Sequence, residues 1–184
     1  MLLKDVAKIE YSLPVTNSGS LISGKWLNLS GLLQSNTFEI VDVENKFKEK
    51  TVITAEKNDL LLKRISPTYV NIYGEDTPVY LGTNIIRIRL NKNINPYFMA
   101  MVIESRLSDI NQASNKGTAI HAINRIALEN IELPNVDEEK QFKLGEVYRL
   151  LNKKDELAKQ LIDKELLKTK TLKIKLMSNL GGNI

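Results

Sequence analysis

The chain has 184 residues, 26 Lys+Arg against 22 Asp+Glu for a net charge of +4, a single histidine and no cysteine. Without cysteine there is no disulfide scaffold, thiolate zinc site or cysteine nucleophile, and one histidine leaves little room for a Ser-His relay or a multi-histidine metal site. No apolar run approaches the ~20 residues of a membrane span and residues 1–5 lack a signal-peptide pattern, so a soluble cytoplasmic protein without membrane contact is expected.

The short strand-like stretches come first. Residues 51–53, 60–65 and 79–90 read as strands, and in the last of these Ile86, Ile88 and Leu90 alternate with Arg87 and Arg89, so each set takes one face. Asn95-Pro96 then predicts a helix start, with Asn95 as N-cap and Tyr97, Met99, Val102, Ile103 and Leu107 following. A polar loop over 112–118 turns at Asn115-Lys116-Gly117. The composition changes near Pro134. From 137 to about 177 there is no proline and only one glycine, Gly145, while Leu, Lys, Glu and Gln dominate.

This second part reads as one long helix. Asp137-Glu138-Glu139 set negative charge at its start, and Lys168, Lys170, Lys173 and Lys175 set positive charge near its end, as the macrodipole favours. Leu144, Val147, Leu151, Ala158, Leu161, Ile162, Leu172 and Leu176 form an imperfect apolar stripe interrupted at Lys154. About 37 residues at ~1.5 Å each would run ~55 Å, longer than a domain this small is wide. Part of the stripe therefore calls for a partner helix, most economically a second copy; folding back would need a break near Lys153-Lys154. The fold class expected is an α/β (α+β) domain over 1–136 followed by one long amphipathic helix over 137–180.

The charge divides along the chain. Residues 1–56 carry −1, 57–125 carry +4, 126–140 carry −4 and 141–184 carry +5. The first basic segment, interleaved with tyrosines and turn residues, suits a polyanion, although a solvated surface explains the same charges.

Motifs with catalytic potential fail on inspection. Gly19 to Lys25 has the Gly-x4-Gly-Lys spacing of a phosphate loop, but Trp26 stands where the Mg²⁺-binding hydroxyl belongs. Asn95-Pro96-Tyr97-Phe98 approaches the Asn-Pro-Pro-Tyr/Phe motif of amino-methyltransferases, yet lacks a proline and any glycine-rich methyl-donor loop. Asp42, Glu44 and Lys46 are too compressed for a nuclease metal site and read as exposed charge. His121 has no evident carboxylate partner.

The order of segments is more telling. Lys57-Asn58-Asp59-Leu60-Leu61-Leu62-Lys63-Arg64, then Ile85-Ile86-Arg87-Ile88-Arg89, then Asn95-Pro96-Tyr97-Phe98-Met99, resembles the DNA-specificity subunits of type I restriction-modification systems. So do residues 112–120, Leu128-Glu129-Asn130-Ile131-Glu132-Leu133-Pro134, the helix opened by Gln141 and the start Leu3-Lys4-Asp5-Val6-Ala7-Lys8-Ile9. The resemblance spans nearly the whole chain. Two departures stand out: the family's Gly-Asp is Asn58-Asp59 here, and the length suffices for one target-recognition domain and one spacer helix instead of two of each.

The resemblance implies a half-length specificity subunit. Two copies would pair as a homodimer through antiparallel helices as in a coiled coil, read a symmetric bipartite site in double-stranded DNA, and recruit a methyltransferase subunit. It implies no catalysis and no cofactor in this chain, S-adenosylmethionine belonging to the partner. Lys63, Arg64, Ser66 and Tyr69, with Asn115, Lys116, Thr118, His121, Asn124 and Arg125, are the DNA-contact candidates. Lys63, Lys116 and Arg125 would position phosphates, and Arg64, Asn115 and Asn124 could read bases. Leu144, Val147, Leu151, Ala158, Leu161 and Ile162 are the interhelical candidates, and the helix would hold half-sites one to two DNA turns apart. A stand-alone DNA-binding regulator or decoy, or a small DNA-modifying enzyme with an unrecognised site, are the alternatives.

Overall fold

The computed structural model describes residues 1–13, 19–32, 38–47, 52–91, 93–113 and 122–181. It divides into two compact units, Met1–Tyr148 and Arg149–Ile184. The division falls inside the long helix, not at its start.

The first unit is built on two four-stranded sheets. One contains β1 (Ala7–Tyr11), β8 (Ile85–Leu90), β5 (Leu60–Lys63) and β6 (Asn71–Ile72), all antiparallel in that spatial order. The other runs β3 (Phe38–Phe47), β2 (Ser20–Leu32), β7 (Val79–Leu81), β4 (Thr54–Ala55), with β2 and β7 parallel. Helices α1 (Leu3–Val6), α2 (Pro96–Ala113), α3 (Arg125–Glu129) and α4 (Glu138–Gly181) complete the chain.

The alternation in β8 organises the packing. Ile86 and Ile88, with Ile9, Leu60 and Leu62 beside them, meet Phe98, Met99, Val102, Ile103 and Leu107 of α2 and Leu128 of α3 in one core. Each such buried side chain contributes on the order of 1.5–3 kcal/mol. The opposite face of the same sheet brings Leu61 and Ile85 against Leu27, Ala55, Tyr73, Val79 and Leu81 in a second core. Arg87 and Arg89 lie on this covered face. Arg87 is 5% exposed and is paired with Glu10, its cross-strand neighbour, while also donating to the Thr54 carbonyl of the second sheet. Arg89 clasps Asp59 with Nε to Oδ1 at 2.8 Å and Nη2 to Oδ2 at 2.7 Å.

The expected strand over 79–90 is two strands in different sheets. Gly82-Thr83-Asn84 separates them, with Asn84 at φ 63° and Gly82 N–H donating to the Leu27 carbonyl at 2.9 Å. The expected strand over 51–53 is likewise displaced: Val52 and Ile53 are not in a strand, β4 begins at Thr54, and residue 51 lies outside the described residues. The β2–β3 hairpin went unread in the sequence. It absorbs the false phosphate loop, Lys25 pairing with Asp42, and it leaves Asp42, Glu44 and Lys46 exposed as expected.

Asn58, where the resemblance expects glycine, stands at φ 71°. Asparagine is among the few non-glycine residues that adopt this left-handed conformation readily. Asn95 caps α2 as its sequence position predicts, its Oδ1 accepting from Tyr97 and Phe98 N–H at 2.9 and 3.0 Å. Asp137 does the same for α4 through Lys140 N–H at 2.8 Å.

Within the first unit, Leu144 and Tyr148 of α4 pack against the main core. Leu144, expected at the interhelical seam, is half-buried against this core. Glu104 of α2 accepts from Val70 N–H at 2.7 Å, and burial raises its carboxyl above the ordinary range despite that bond and one from Tyr148.

The second unit is the remainder of α4, helical to Gly181 without the break considered at Lys153-Lys154. Leu151, Leu157, Leu161, Ile162, Leu166 and Leu167 are all more than half exposed.

Candidate nucleic-acid interface

Two stretches of candidate contact residues, some sixty positions apart in sequence, are adjacent in space. Ile65 pairs with Ala122 in an isolated β-bridge, and Ile123 N–H donates to the Arg64 carbonyl at 2.8 Å. Arg64 N–H in turn donates to Asn84 at 2.8 Å, so the turn between β7 and β8 supports the same corner. Lys63 and Arg64 therefore stand next to Asn124 and Arg125. Asn115, Lys116, Thr118 and His121 lie outside the described residues.

Ser66 is exposed and holds a φ of 43°, immediately before the buried Pro67. A serine in this conformation carries backbone strain of about 1–3 kcal/mol, and such strain concentrates at functional sites. Tyr69 is half-buried. Asn124 caps α3: its Oδ1 accepts from Ile126 N–H at 2.8 Å, so any base contact falls to its Nδ2.

Arg125 is held on two sides. Its Nε donates to Glu129 Oε1 at 2.7 Å across one helical turn, and its guanidinium lies 5.9 Å from the Tyr11 ring centroid. Glu129 keeps the guanidinium firmly protonated. Burial pushes the Tyr11 phenol up to about 12, with Glu129 adding to the shift and the charges of Arg125 and Arg64 opposing it. The ring stays neutral and available to a cation. Sequence reasoning missed both Tyr11 and Glu129; the i,i+4 spacing of Glu129 from Arg125 was the one visible signal.

These groups open on a cleft of about 610 Å³ lined by Lys4, Lys8, Glu10, Tyr11, Arg125 and Glu129 among others. Lys4 donates to Asn130 at 3.1 Å, and Lys8 pairs with Glu10 at 3.1 Å. Chemically the corner offers oriented cationic donors. Among the described residues no cluster of three His, Cys, Asp or Glu could hold a metal, and no helix is long and apolar enough to cross a membrane.

The architecture has counterparts among solved structures. The HsdS subunit from Thermoanaerobacter tengcongensis superposes with a TM-score of 0.59 over 88% of this chain, at 12% identity and covering 39% of that chain. The type I restriction-modification S subunit from M. genitalium gives 0.57 over 89%, at 17% identity and 41% of that chain. The chain shares the fold of type I S subunits. A third structure, from work on complex assembly and conformational transition of the type I R-M system, gives 0.59 over 94%, at 14% identity and 42% of that chain. The chain thus spans about two fifths of the S-subunit chains it matches. No protein-family model matches the sequence, and the search of curated proteins gave no match.

Proposed function

We propose that this chain is a sequence-specific, double-stranded-DNA-binding specificity subunit of a type I-like restriction-modification system, acting in the cytoplasm without catalysis of its own. The observation that carries this reading is the S-subunit fold over 88–94% of the chain. The corner where Arg64 meets Asn124 and Arg125 supplies the donors such a role needs.

Two copies pair through the helical unit, antiparallel, and read a bipartite site. The exposed Leu151, Leu157, Leu161 and Ile162 support this, because an apolar stripe of that kind gains by burial against a partner. Val147 and Ala158, also exposed, extend the proposed seam. A methyltransferase subunit binding S-adenosylmethionine then docks on the dimer and carries the chemistry.

The test is solution mass, measured alone and with a candidate methyltransferase subunit, together with DNA affinity across a salt series. A dimer, a stable mixed complex and a steep loss of affinity with salt are expected. A salt-independent response would remove the DNA reading. Steep DNA binding without methyltransferase association would point to a stand-alone regulator.

A further inference from the structure

We propose that Arg125 determines sequence specificity by presenting its Nη1/Nη2 edge to a base, with Tyr11 and Glu129 as the residues that position it. The inference deepens the DNA-specificity reading above and rests on it. It reverses the roles suggested by sequence, where Arg125 was a phosphate contact and Arg64 a base reader.

The geometry separates the two arginines. Arg125 is 62% exposed, yet its Nε is tied to Glu129 at 2.7 Å and its Cζ lies over the Tyr11 ring, 5.9 Å from the centroid. One of five guanidinium N–H groups is used, and the four on Nη1 and Nη2 stay on a fixed fork. A rotamer already restricted by a carboxylate and an aromatic ring loses less entropy on binding than a free arginine does.

Charge points the same way. The Glu129 carboxylate offsets the guanidinium at short range, so Arg125 adds little to the net field that attracts phosphates and releases counterions. Directional donation survives that neutralisation. The acceptor pair that a fork fits in the major groove is guanine O6 and N7, which makes this the base edge expected. Arg64 is exposed and forms no ion pair among the described residues, which suits a phosphate contact.

The experiment uses the full chain. Selection from a randomised duplex pool yields a preferred duplex, and affinities for it and for a scrambled duplex are measured over a salt series. Arg125→Lys, which keeps the charge and loses the fork, is expected to cut the preferred-to-scrambled ratio roughly 5- to 150-fold while leaving the salt slope nearly unchanged. Tyr11→Phe keeps the ratio, Tyr11→Leu lowers it, and Glu129→Gln lowers it while scrambled-duplex affinity holds or rises. Arg64→Ala weakens both duplexes alike and reduces the slope by about 0.9.

An unchanged ratio in Arg125→Lys overturns the proposal. So does an Arg125→Ala variant that weakens both duplexes equally with a slope loss of about 0.9. A wild-type protein that binds the two duplexes equally would instead remove the specificity reading itself.

Discussion

Asn95 and Gly145 approach each other so closely that a Cβ at position 145 would lie 2.3 Å from Asn95 Oδ1, the atom that caps α2. Gly145 stands within α4 because the helix runs against that cap. In an exposed helix Gly→Ala stabilises by about 1 kcal/mol. Here Gly145→Ala is expected to destabilise by about 1–3 kcal/mol, since the cap must move or break. Urea denaturation of Gly145→Ala, Asn95→Ala and the double variant checks this. The double variant should lose less than the sum of the singles, because removing the Asn95 amide makes room for the methyl.

Arg89→Ala strands a carboxylate. Asp59 is 2% exposed and is satisfied by the Arg89 fork and by Glu56 N–H at 2.8 Å. Removing the fork is expected to cost about 3–5 kcal/mol. Arg89→Lys should recover only part of that, since an ammonium cannot reproduce the two parallel bonds. A thermal midpoint within a degree or two of wild type in Arg89→Ala would refute the assignment.

Two glutamates give pH dependences of opposite sign. At Glu10 burial alone would raise the carboxyl, but hydrogen bonds from Lys8 and Arg87, with their charges, outweigh it and hold it below the ordinary range. Its stabilisation is present above about pH 4.5 and is lost as pH falls through the lowered value. Glu104 is raised by burial, so its contribution is full below about pH 4.5 and declines as pH rises through the raised value. Stability measured from pH 3 to 8 should therefore lose part of its acid-side fall in Glu10→Gln. In Glu104→Gln it should lose part of its decline on the other side.

Asn58 tests the backbone at φ 71°. Asn58→Gly is expected to change stability by less than about 0.5 kcal/mol, and Asn58→Val to cost about 1–3 kcal/mol, because a β-branched residue resists the left-handed region. Midpoints of chemical unfolding report both.

Leu161→Lys with Ile162→Lys addresses the helical unit. Both side chains are more than half exposed, so unfolding of the first unit should be unaffected. Sedimentation should show the proposed dimer giving way to monomer, with at least a tenfold loss corresponding to about 1.4 kcal/mol of association energy. On the proposed bipartite reading, deleting one turn of the helix should shift the preferred spacing of half-sites without altering the half-site read.

Local signals made α2, α4, β5 and β8 legible: Asn95-Pro96 at a helix start, a proline-free charged run, and clean alternation at Ile86, Arg87, Ile88 and Arg89. The β2–β3 hairpin was not legible. Its residues mix Ser, Gly and Asn into the apolar pattern, and its outer positions such as Leu21 and Lys25 are exposed, which blurs the period of two. The break at Gly82-Thr83-Asn84 carried turn residues but was masked by apolar residues on both sides. At the candidate site, individual cations were nameable. That Arg64 lies beside Ile123, or that Tyr11 lies under Arg125, depends on sheet topology, which single-sequence periodicity does not encode.

The chain enters and leaves the two-sheet fold at the same place. Leu3 N–H donates to the Ile131 carbonyl and Leu133 N–H to the Met1 carbonyl, each at 3.0 Å, with Leu2 and Glu132 bridged between them. A domain whose first and last segments are hydrogen-bonded to one another can be permuted, inserted or duplicated in tandem with little rebuilding. In genetic terms this unit is modular: gene fusion or exchange at its seam could join one such unit to a different one while leaving each core intact.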